Sequence, residues 1–357
     1  MEMGYLVVET FLGERLSPVV GSRIVVECNK GREMHEIFTD ENGRSAQVSL
    51  PATTRGENAA PGGIPQPRCE RYIITISQKR GFRKIIVHGV EIFPGIVSIL
   101  PVQMLPDPHG EYGPYEIFIP DYRGADLYER AQSRKFRVSG LLTTSSPKLA
   151  VPSHITVHMG RPDEPAERLV ITLKDYIKNI ASCENNPTLE SAALGSNILI
   201  QMSIALEKIT SRNYRARGYD FDITSSGDHD LGFIKGRNIF NNVSGIVDEL
   251  WGFYILANDE FAHAPILDDA WQHSARALAI RGYNPAQIIH YLCPGLELVA
   301  FEEADLREVD VLCEDEREGV DAEAERVVEG QSQSQRNGQS HINPAVLMAL
   351  SMFGRRW

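Results

Sequence analysis

The spacing of apolar residues changes once along this chain, and that change limits the folds it can adopt. Between residues 4 and 105, Val, Ile, Phe and Tyr alternate with polar residues in short runs such as YLVVETF and RYIITISQ, which Gly, Pro and Asn separate. From residue 168 to 300, apolar residues instead recur every three or four positions. We therefore predict a multidomain chain, with an all-β sandwich over residues 1–105 and an α+β domain over residues 151–300.

The remaining segments are poor in core-forming residues. Residues 106–150 contain the turn-rich PDPHGEYGP and the Ser/Thr/Pro-rich LLTTSSPKLAVPS, and we interpret them as a connector in which YEIFIP could form an edge strand. The formal net charge is −12, yet residues 297–329 alone hold fourteen acidic residues and three arginines. The rest of the chain is therefore almost neutral, and we predict a disordered acidic tail over residues 301–342.

The chain closes with an apolar peptide over residues 343–357, which contains PAVLMALSMFGRRW. Two interpretations stay open for it. The peptide could pack as a loosely helical tail on its own protein, or its apolar face and basic end could dock on a protein partner or touch a membrane.

Composition and spacing argue against several classes of function. No apolar run approaches the ~18–20 residues of a membrane-spanning helix, and the first residues lack the basic and continuous apolar regions of a signal peptide. We expect no transmembrane segment, and no nucleic-acid partner because there is no basic field. The five cysteines stand singly without CxxC, and the histidines form no HxH or HExxH pair. We therefore predict no metal site and no cofactor.

Within the second domain, the strand-like RLVIT passes into a helix at Leu173, and Pro187 is expected to open a long helix. Further helices are predicted at about residues 237–257, 269–281 and 285–292. The first two helices flank the sequence CENNP, which puts a lone acid, Glu184, at a turn. Residues 210–236 are polar, aromatic and turn-prone, which is typical of a binding loop.

Four motifs in residues 171–256 occur in the order LKDYIKNIASCENNP, ALGSNILIQMSIAL, GYDFDITSSGDHDLGFIKG and VSGIVDELWGFYI. Together they resemble the stage II sporulation protein D (SpoIID/LytB) domain of bacterial cell-wall remodelling enzymes. Residues 1–105 resemble the carboxypeptidase regulatory-like, or transthyretin-like, sandwiches that serve as spacers in surface and secreted proteins. The resemblance implies a peptidoglycan lytic transglycosylase whose partners are glycan strands, working in the cell envelope, a spore or a related assembly.

On this resemblance Glu184 takes the place of the family's catalytic acid. The family's reaction needs one carboxylate, which protonates the glycosidic oxygen while the substrate's own C6 hydroxyl attacks C1. The resemblance also implies that a set of further residues lines the substrate groove, namely Gln201, Gln272, Tyr219, Asp222, Thr224 and Asp228. Arg215 joins this set as a residue that could hold carboxylated sugars, although a solvated helix end is the other interpretation of SRNYRARGY.

The chain also departs from the family pattern. Leu206 and Lys208 occupy places where the family commonly has Arg and Tyr, and WQHS stands where the family has SQWG, so that His273 and Ser274 replace Trp and Gly. The family's metal-associated cysteines have no counterpart. Two functions therefore remain open: a lytic transglycosylase, and a catalytically inactive structural or glycan-binding component of a spore, envelope or phage-like assembly.

Overall fold

The computed structural model describes residues 2–13, 17–28, 33–52, 70–78, 80–120, 150–257, 269–300 and 302–304. Within these ranges the protein is a mixed α+β molecule with several β-sheets and five α-helices, which confirms the coarse prediction that the chain contains both strands and helices. Most of the predicted acidic tail, the C-terminal apolar peptide and residues 121–149 of the predicted connector lie outside the described residues. No helix in the described ranges is long and apolar enough to cross a membrane.

Residues 2–120 form a β-unit in which two sheets enclose one apolar core. Its strands are β1 (Glu2–Leu12), β2 (Ser17–Pro18), β3 (Arg23–Cys28), β4 (Glu33–Phe38), β5 (Val48–Ala52), β6 (Glu70–Ser77), β7 (Gly81–Phe82), β8 (Ile85–Ile92), β9 (Val97–Gln103), β10 (Pro106–Asp107) and β11 (Tyr115–Phe118). In the first sheet, β1 pairs with β2 and β5 in antiparallel fashion and with β9 in parallel. The second sheet has the order β11-β8-β6-β3-β4, in which only β11 and β8 run parallel.

Alternating side chains explain why these segments form half-buried strands. In β5, Val48, Leu50 and Ala52 are buried whereas Ser49 is exposed, so that one face of the strand turns to the core. The core draws on both sheets, with members such as Leu6, Val8, Leu50, Ile74, Val87 and Leu100. The strands β10 and β11, which lie within the predicted connector, pair with β7 and β8 of this unit.

Residues 150–304 form a second, largely helical unit. Its strands are β12 (Ala150–Pro152), β13 (His154–His158), β14 (Arg168–Thr172), β15 (Ile223–Thr224), β16 (Ile239–Phe240), β17 (Phe253–Ala257), β18 (Leu296–Ala300) and β19 (Glu302–Ala304). Its helices are α1 (Leu173–Glu184), α2 (Ser191–Thr210), α3 (Asn241–Leu250), α4 (Asp269–Ile280) and α5 (Pro285–Leu292). A 3-10 turn covers Arg215–Arg217.

Helix α2 is the centre of this unit. It is buried on nearly every side, because α1, α3, α4, α5 and β17 all pack against it. Helix α1 begins at Leu173 as predicted, where the Thr172 hydroxyl accepts a hydrogen bond from the Asp175 backbone N–H at 3.1 Å and caps the helix. Small sheets lie around these helices, with β13 between β14 and β15, β17 beside β18, and β12 beside β19.

Two helix predictions were wrong. Helix α2 begins at Ser191, four residues after Pro187, whose carbonyl instead accepts a hydrogen bond from Asn242 at 2.7 Å. The segment predicted as one helix over residues 237–257 divides into β16, the short helix α3 and β17. Helix α3 ends before Gly252, which has a φ of +100°, and the aromatic and branched residues FYILA then pair with β18.

The two units share a sheet. Strand β16 of the helical unit pairs with β9 of the β-unit, with Ile239 opposite Ile99. Beside this pairing, the rings of Phe93 and Phe240 meet edge to face at 5.3 Å. Cys183 of α1 and Ile234 also belong to the apolar core of the β-unit. The end of α1 is therefore held by both units.

Candidate functional site

Glu184 is the last residue of α1, and its side chain is partly exposed. The backbone N–H of Gly232, 48 residues later in the chain, donates a hydrogen bond to Glu184 Oε1 at 2.7 Å. A Cβ atom at residue 232 would lie 3.0 Å from that same oxygen. A Cβ at this position would push the carboxylate away by a few tenths of an ångström, so the glycine favours the close approach that orients Glu184.

The segment around Gly232 is clamped against α1. Asn179 accepts a hydrogen bond from the Ile234 N–H at 3.1 Å and donates one to the Ile234 carbonyl at 2.8 Å. The ring of Phe233 stacks on Tyr176 with centroids 5.6 Å apart. Because both α1 side chains are buried, residues 232–234 have little freedom beside Glu184.

Tyr176 has an unusual environment. Its side chain is completely buried, and its hydroxyl has no hydrogen-bond partner among the described residues. Burial, followed by the nearby charges of Asp230 and Glu184, raises the pKa of Tyr176 well above its ordinary value. The hydroxyl therefore stays protonated, in the field of two carboxylates.

Gln201 and Gln272 belong to a network of amide side chains beside Glu184. Asn185 donates to Gln201 Oε1 at 2.8 Å, and Asn197 donates to Asn185 Oδ1 at 3.1 Å and to Gln272 Oε1 at 3.0 Å. The Trp271 indole N–H donates to Asn197 Oδ1 at 2.8 Å. The network ties the turn after α1 to α2 and α4. Both predicted groove glutamines thus contact protein groups, and Gln201 is only 1% exposed.

Asp230 organises the loop over residues 210–236. Its buried carboxylate accepts hydrogen bonds from the Thr224 N–H at 2.9 Å, the Thr224 hydroxyl at 2.5 Å and the Tyr214 hydroxyl at 2.8 Å, and it forms an ion pair with Lys208. Burial and the charge of Asp230 raise the pKa of Tyr214. Thr224, a predicted substrate residue, is fully buried in this cluster.

The remaining predicted residues lie nearer the surface. Arg215 forms an ion pair with Asp222, whose Oδ2 also accepts a hydrogen bond from the Thr156 N–H at 2.7 Å. The hydroxyl of Tyr219 donates to Asp163 at 2.7 Å, and this hydrogen bond raises the pKa of Tyr219. Asp228 is exposed. The structure therefore links Gln201 and Gln272 to Asn185, the residue after Glu184, and Thr224 to Asp230. The outer part of the loop contains Arg215, Asp222, Tyr219 and Asp228.

Sequence reasoning missed five residues that build this site: Tyr176, Asn179, Asn185, Asn197 and Asp230. One signal was available for Asn197, since an amide in the apolar run ALGSNILI is expected to be buried and to need partners. No comparable signal marks Asn179 or Asp230. Their partners lie 55 residues away for Asn179 and up to 22 residues away for Asp230, and such pairings depend on the fold.

The Glu184 region contains no cluster of metal ligands within the described part of the chain. In the ranges that the structure describes, no three His, Cys, Asp or Glu side chains cluster closely enough to hold a metal ion. His158 instead stacks on Phe221 at 4.6 Å and contacts the Arg161 carbonyl at 2.7 Å. An open groove of about 280 Å³ runs between β11 and residues 233–235, and Glu184 is not among its lining residues.

Chemically, this arrangement can place one proton-carrying group at a defined position. Glu184 is partly exposed and oriented by a backbone N–H, so it can give or take a proton at its carboxylate. Asp230 is saturated with hydrogen-bond donors and buried, which makes it unsuitable as a second acid or nucleophile. The site therefore suits chemistry that needs a single carboxylate.

Comparisons with known proteins give little similarity. No protein-family profile matches the chain, and no curated protein sequence matches it. Among solved structures, the chain is similar to the TIE protein of Bacillus anthracis, with 17% identity and a TM-score of 0.21 over 29% of this chain and 17% of that one. It is also similar to a mutant of catechol 1,2-dioxygenase from Acinetobacter radioresistens, with 12% identity and a TM-score of 0.19 over 32% of this chain and 58% of that one. At these TM-scores neither similarity informs the fold or the function.

Proposed function

We propose that this protein acts on the glycan strands of bacterial peptidoglycan as a lytic transglycosylase, with Glu184 as general acid and base. In this proposal the helical unit is a domain of the stage II sporulation protein D type, and the β-unit is a carboxypeptidase regulatory-like sandwich. One observation supports it above the rest. The carboxylate that the family motif singles out is partly exposed at a helix end and is oriented by the Gly232 N–H at 2.7 Å.

The proposed reaction uses this carboxylate twice. Protonated Glu184 donates its proton to the glycosidic oxygen as the bond from that oxygen to C1 breaks. The C6 hydroxyl of the same sugar attacks C1, and ionised Glu184 takes the hydroxyl proton. A 1,6-anhydro sugar forms, the acid returns to its starting state, and neither water nor a second carboxylate takes part.

The second candidate is a protein that binds glycan, or assembles with other envelope or spore proteins, without cutting. The observation in its favour is that Gln201, Gln272 and Thr224 all make hydrogen bonds to protein groups, with Gln201 and Thr224 buried. A sugar would have to break those bonds to reach them. In this alternative Glu184 is a helix-end residue that fastens the Gly232 segment.

The deciding experiment is a product assay. Purified protein is incubated with peptidoglycan glycan strands, intact and stripped of stem peptides, and anhydro-muramyl products are sought by mass spectrometry. We expect product from the unchanged protein and a loss of about 100-fold or more in Glu184→Gln, since general acid–base catalysis contributes at least that much. The matched control is Glu249→Gln on the exposed surface of α3, which should cleave at the original rate.

The other outcomes identify the alternatives. Cleavage that persists in Glu184→Gln would remove Glu184 from the reaction. A folded protein that gives no product but sediments with purified sacculi is a glycan-binding component, and one that does neither is a scaffold.

A further inference from the structure

A buried ion pair joins the two units close to Glu184. Arg237 Nη2 of the helical unit lies 3.0 Å from Glu91 Oε2 of β8, and both side chains are only 2% exposed. Removing water from two charges costs several kcal/mol per ion, so a buried pair is a weak source of stability compared with apolar residues of the same size. Removing one partner of such a pair is strongly destabilising, because it leaves an uncompensated buried charge.

The backbone of Glu91 is held by hydrogen bonds from both units. Asn238 donates to the Glu91 carbonyl at 3.1 Å and accepts from the Glu91 N–H at 3.4 Å, and the Ser98 hydroxyl donates to the same carbonyl at 2.6 Å. The Arg237 Nε donates to the Asn238 carbonyl at 3.0 Å. Arg237 and Glu91 are thus tied to the same residue, Asn238, which fixes where the two side chains meet.

Arg237 is connected to Glu184 by a short series of contacts. Its backbone N–H donates to the Ile234 carbonyl at 3.4 Å, Ile234 is clamped by Asn179 of α1, and Gly232 donates to Glu184. The residue before the acid, Cys183, is adjacent as well. Burial raises the pKa of the Cys183 thiol, and the nearby charge of Arg237 opposes that rise. The segment of residues 232–237 is therefore fixed by Glu184 at one end and by Glu91 at the other.

We propose that Arg237, held by Glu91, is a positioning residue for Glu184, so that the β-unit is a working part of the site. The proposal predicts that loss of the Glu91 charge loosens the Gly232 N–H from the Glu184 carboxylate. This inference deepens the proposed function, and only its activity measurement rests on that function. The contact between Gly232 and Glu184 can be measured without any substrate.

The test follows amide hydrogen exchange at Gly232 by NMR in the full chain, with Val8 of β1 as a reporter of global opening. Three variants are compared with the unchanged protein: Glu91→Gln, the double variant Glu91→Gln/Arg237→Met and the control Glu36→Gln. The double variant replaces both charged side chains by neutral ones. The control removes the charge of an exposed pair with Arg23 in the same unit, whose side chains are 46% and 41% exposed. The double variant leaves no unpaired buried charge and tests the inference if Glu91→Gln does not fold.

We expect Gly232 to exchange at least about tenfold faster in the double variant while Val8 and the urea midpoint stay near their original values, because positioning is lost without global unfolding. If the double variant restores Gly232 protection, or if Glu91→Gln folds and leaves that protection unchanged, the ion pair is only structural and the inference is wrong.

Activity supplies an independent readout. If the unchanged protein cleaves glycan, the double variant should lose kcat by about 100-fold with KM unchanged, the cost typical of a misplacement of about 1 Å. An equal kcat would contradict the inference and leave the proposed function intact. If the unchanged protein does not cleave, the proposed function fails, and the exchange result at Gly232 still decides the positioning role.

Discussion

At the scale of single residues, the hydroxyl of Tyr176 is the least satisfied group beside Glu184. A buried hydroxyl without a partner costs about 1–3 kcal/mol relative to one that is hydrogen-bonded. The ring is nevertheless well placed, since it stacks on Phe233 within the main core of the helical unit. A substitution that removes only the hydroxyl should therefore remove this energetic cost and keep the packing of the ring.

We predict that Tyr176→Phe raises the free energy of unfolding by about 1 kcal/mol at pH 8. The folded-state pKa lies above the unfolded value of about 10, so the folded protein keeps a proton that the unfolded chain releases, and stability falls as the pH rises above about 10. The Phe variant should lack this part of the alkaline decline. Urea unfolding at pH 8 and 10.5 measures both effects. A less stable Phe variant would instead show that the hydroxyl makes a hydrogen bond in solution.

The sequence pointed to Glu184 through the order of the motifs around it, which resembles a family with an acid at this place, and the catalytic role stays a prediction. It could not identify what orients the acid, since the Gly232 N–H belongs to the backbone and carries no residue-specific signal apart from the glycine itself. It also assigned Gln201 and Gln272 to the groove, although the structure gives them amide partners. Whether a polar side chain faces ligand or protein is decided by burial, which motif order does not contain.

At the scale of elements, Asn197 is the joint between α2, α4 and the turn that follows α1. It is fully buried and makes three side-chain hydrogen bonds, to Asn185, Gln272 and Trp271. Its removal leaves several buried polar groups without partners, and the loss should exceed that of one ordinary hydrogen bond.

We predict that Asn197→Ala lowers the free energy of unfolding by about 2–4 kcal/mol, since buried donors and acceptors lose their partners together. Ser191→Ala, an exposed change at the start of the same helix, should stay within about 0.5 kcal/mol. Urea unfolding followed by tryptophan fluorescence measures both variants. Equal losses in the two would mean that the amide network adds nothing to the packing of α2.

Helices and strands were predictable where the apolar residues follow a single spacing, either every second residue or every three to four residues. The alternating strands of the β-unit and the start of α1 at Leu173 follow from local pattern and capping. The region over residues 237–257 was not predictable in this way, because FYILA is equally apolar in a helix and in a strand. Its state is decided by the antiparallel partner strand β18, in which Val299, 45 positions after Tyr254, lies opposite that residue.

At the scale of the whole molecule, the two units should unfold together. They share the β16–β9 pairing, the buried Glu91–Arg237 pair and the insertion of Cys183 into the core of the β-unit. Opening either unit alone would expose these contacts, which favours one cooperative transition.

We predict coincident urea transitions for the two units. Hydrogen exchange at Val8 and Ile74 reports on the β-unit, and exchange at Ile198 and Leu199 of α2 reports on the helical unit. All four amides should reach the same limiting free energy of opening, as expected for a single cooperative unit. A β-unit that opens at clearly lower free energy than α2 would show that the shared sheet does not couple them.

The division into a β-rich and a helix-containing region was predictable from the change of period at the level of the whole chain. The contact between the two regions was not predictable, because Ile239 and Phe240 look like any short apolar pair in the sequence. Only the fold brings them beside β9. An ion pair across 146 positions likewise leaves no local pattern in the sequence.

That separation of 146 positions has a consequence for synthesis on the ribosome. Glu91 leaves the ribosome long before Arg237 exists, and the edge of β9 remains without β16 for a comparable time. At roughly 5–20 residues per second the wait is about 7–30 s. Throughout it, Arg237 has not yet been made and β9 lacks β16, and an open strand edge is a site for pairing with other chains. The β-unit is therefore completed only after Arg237 and β16 have emerged.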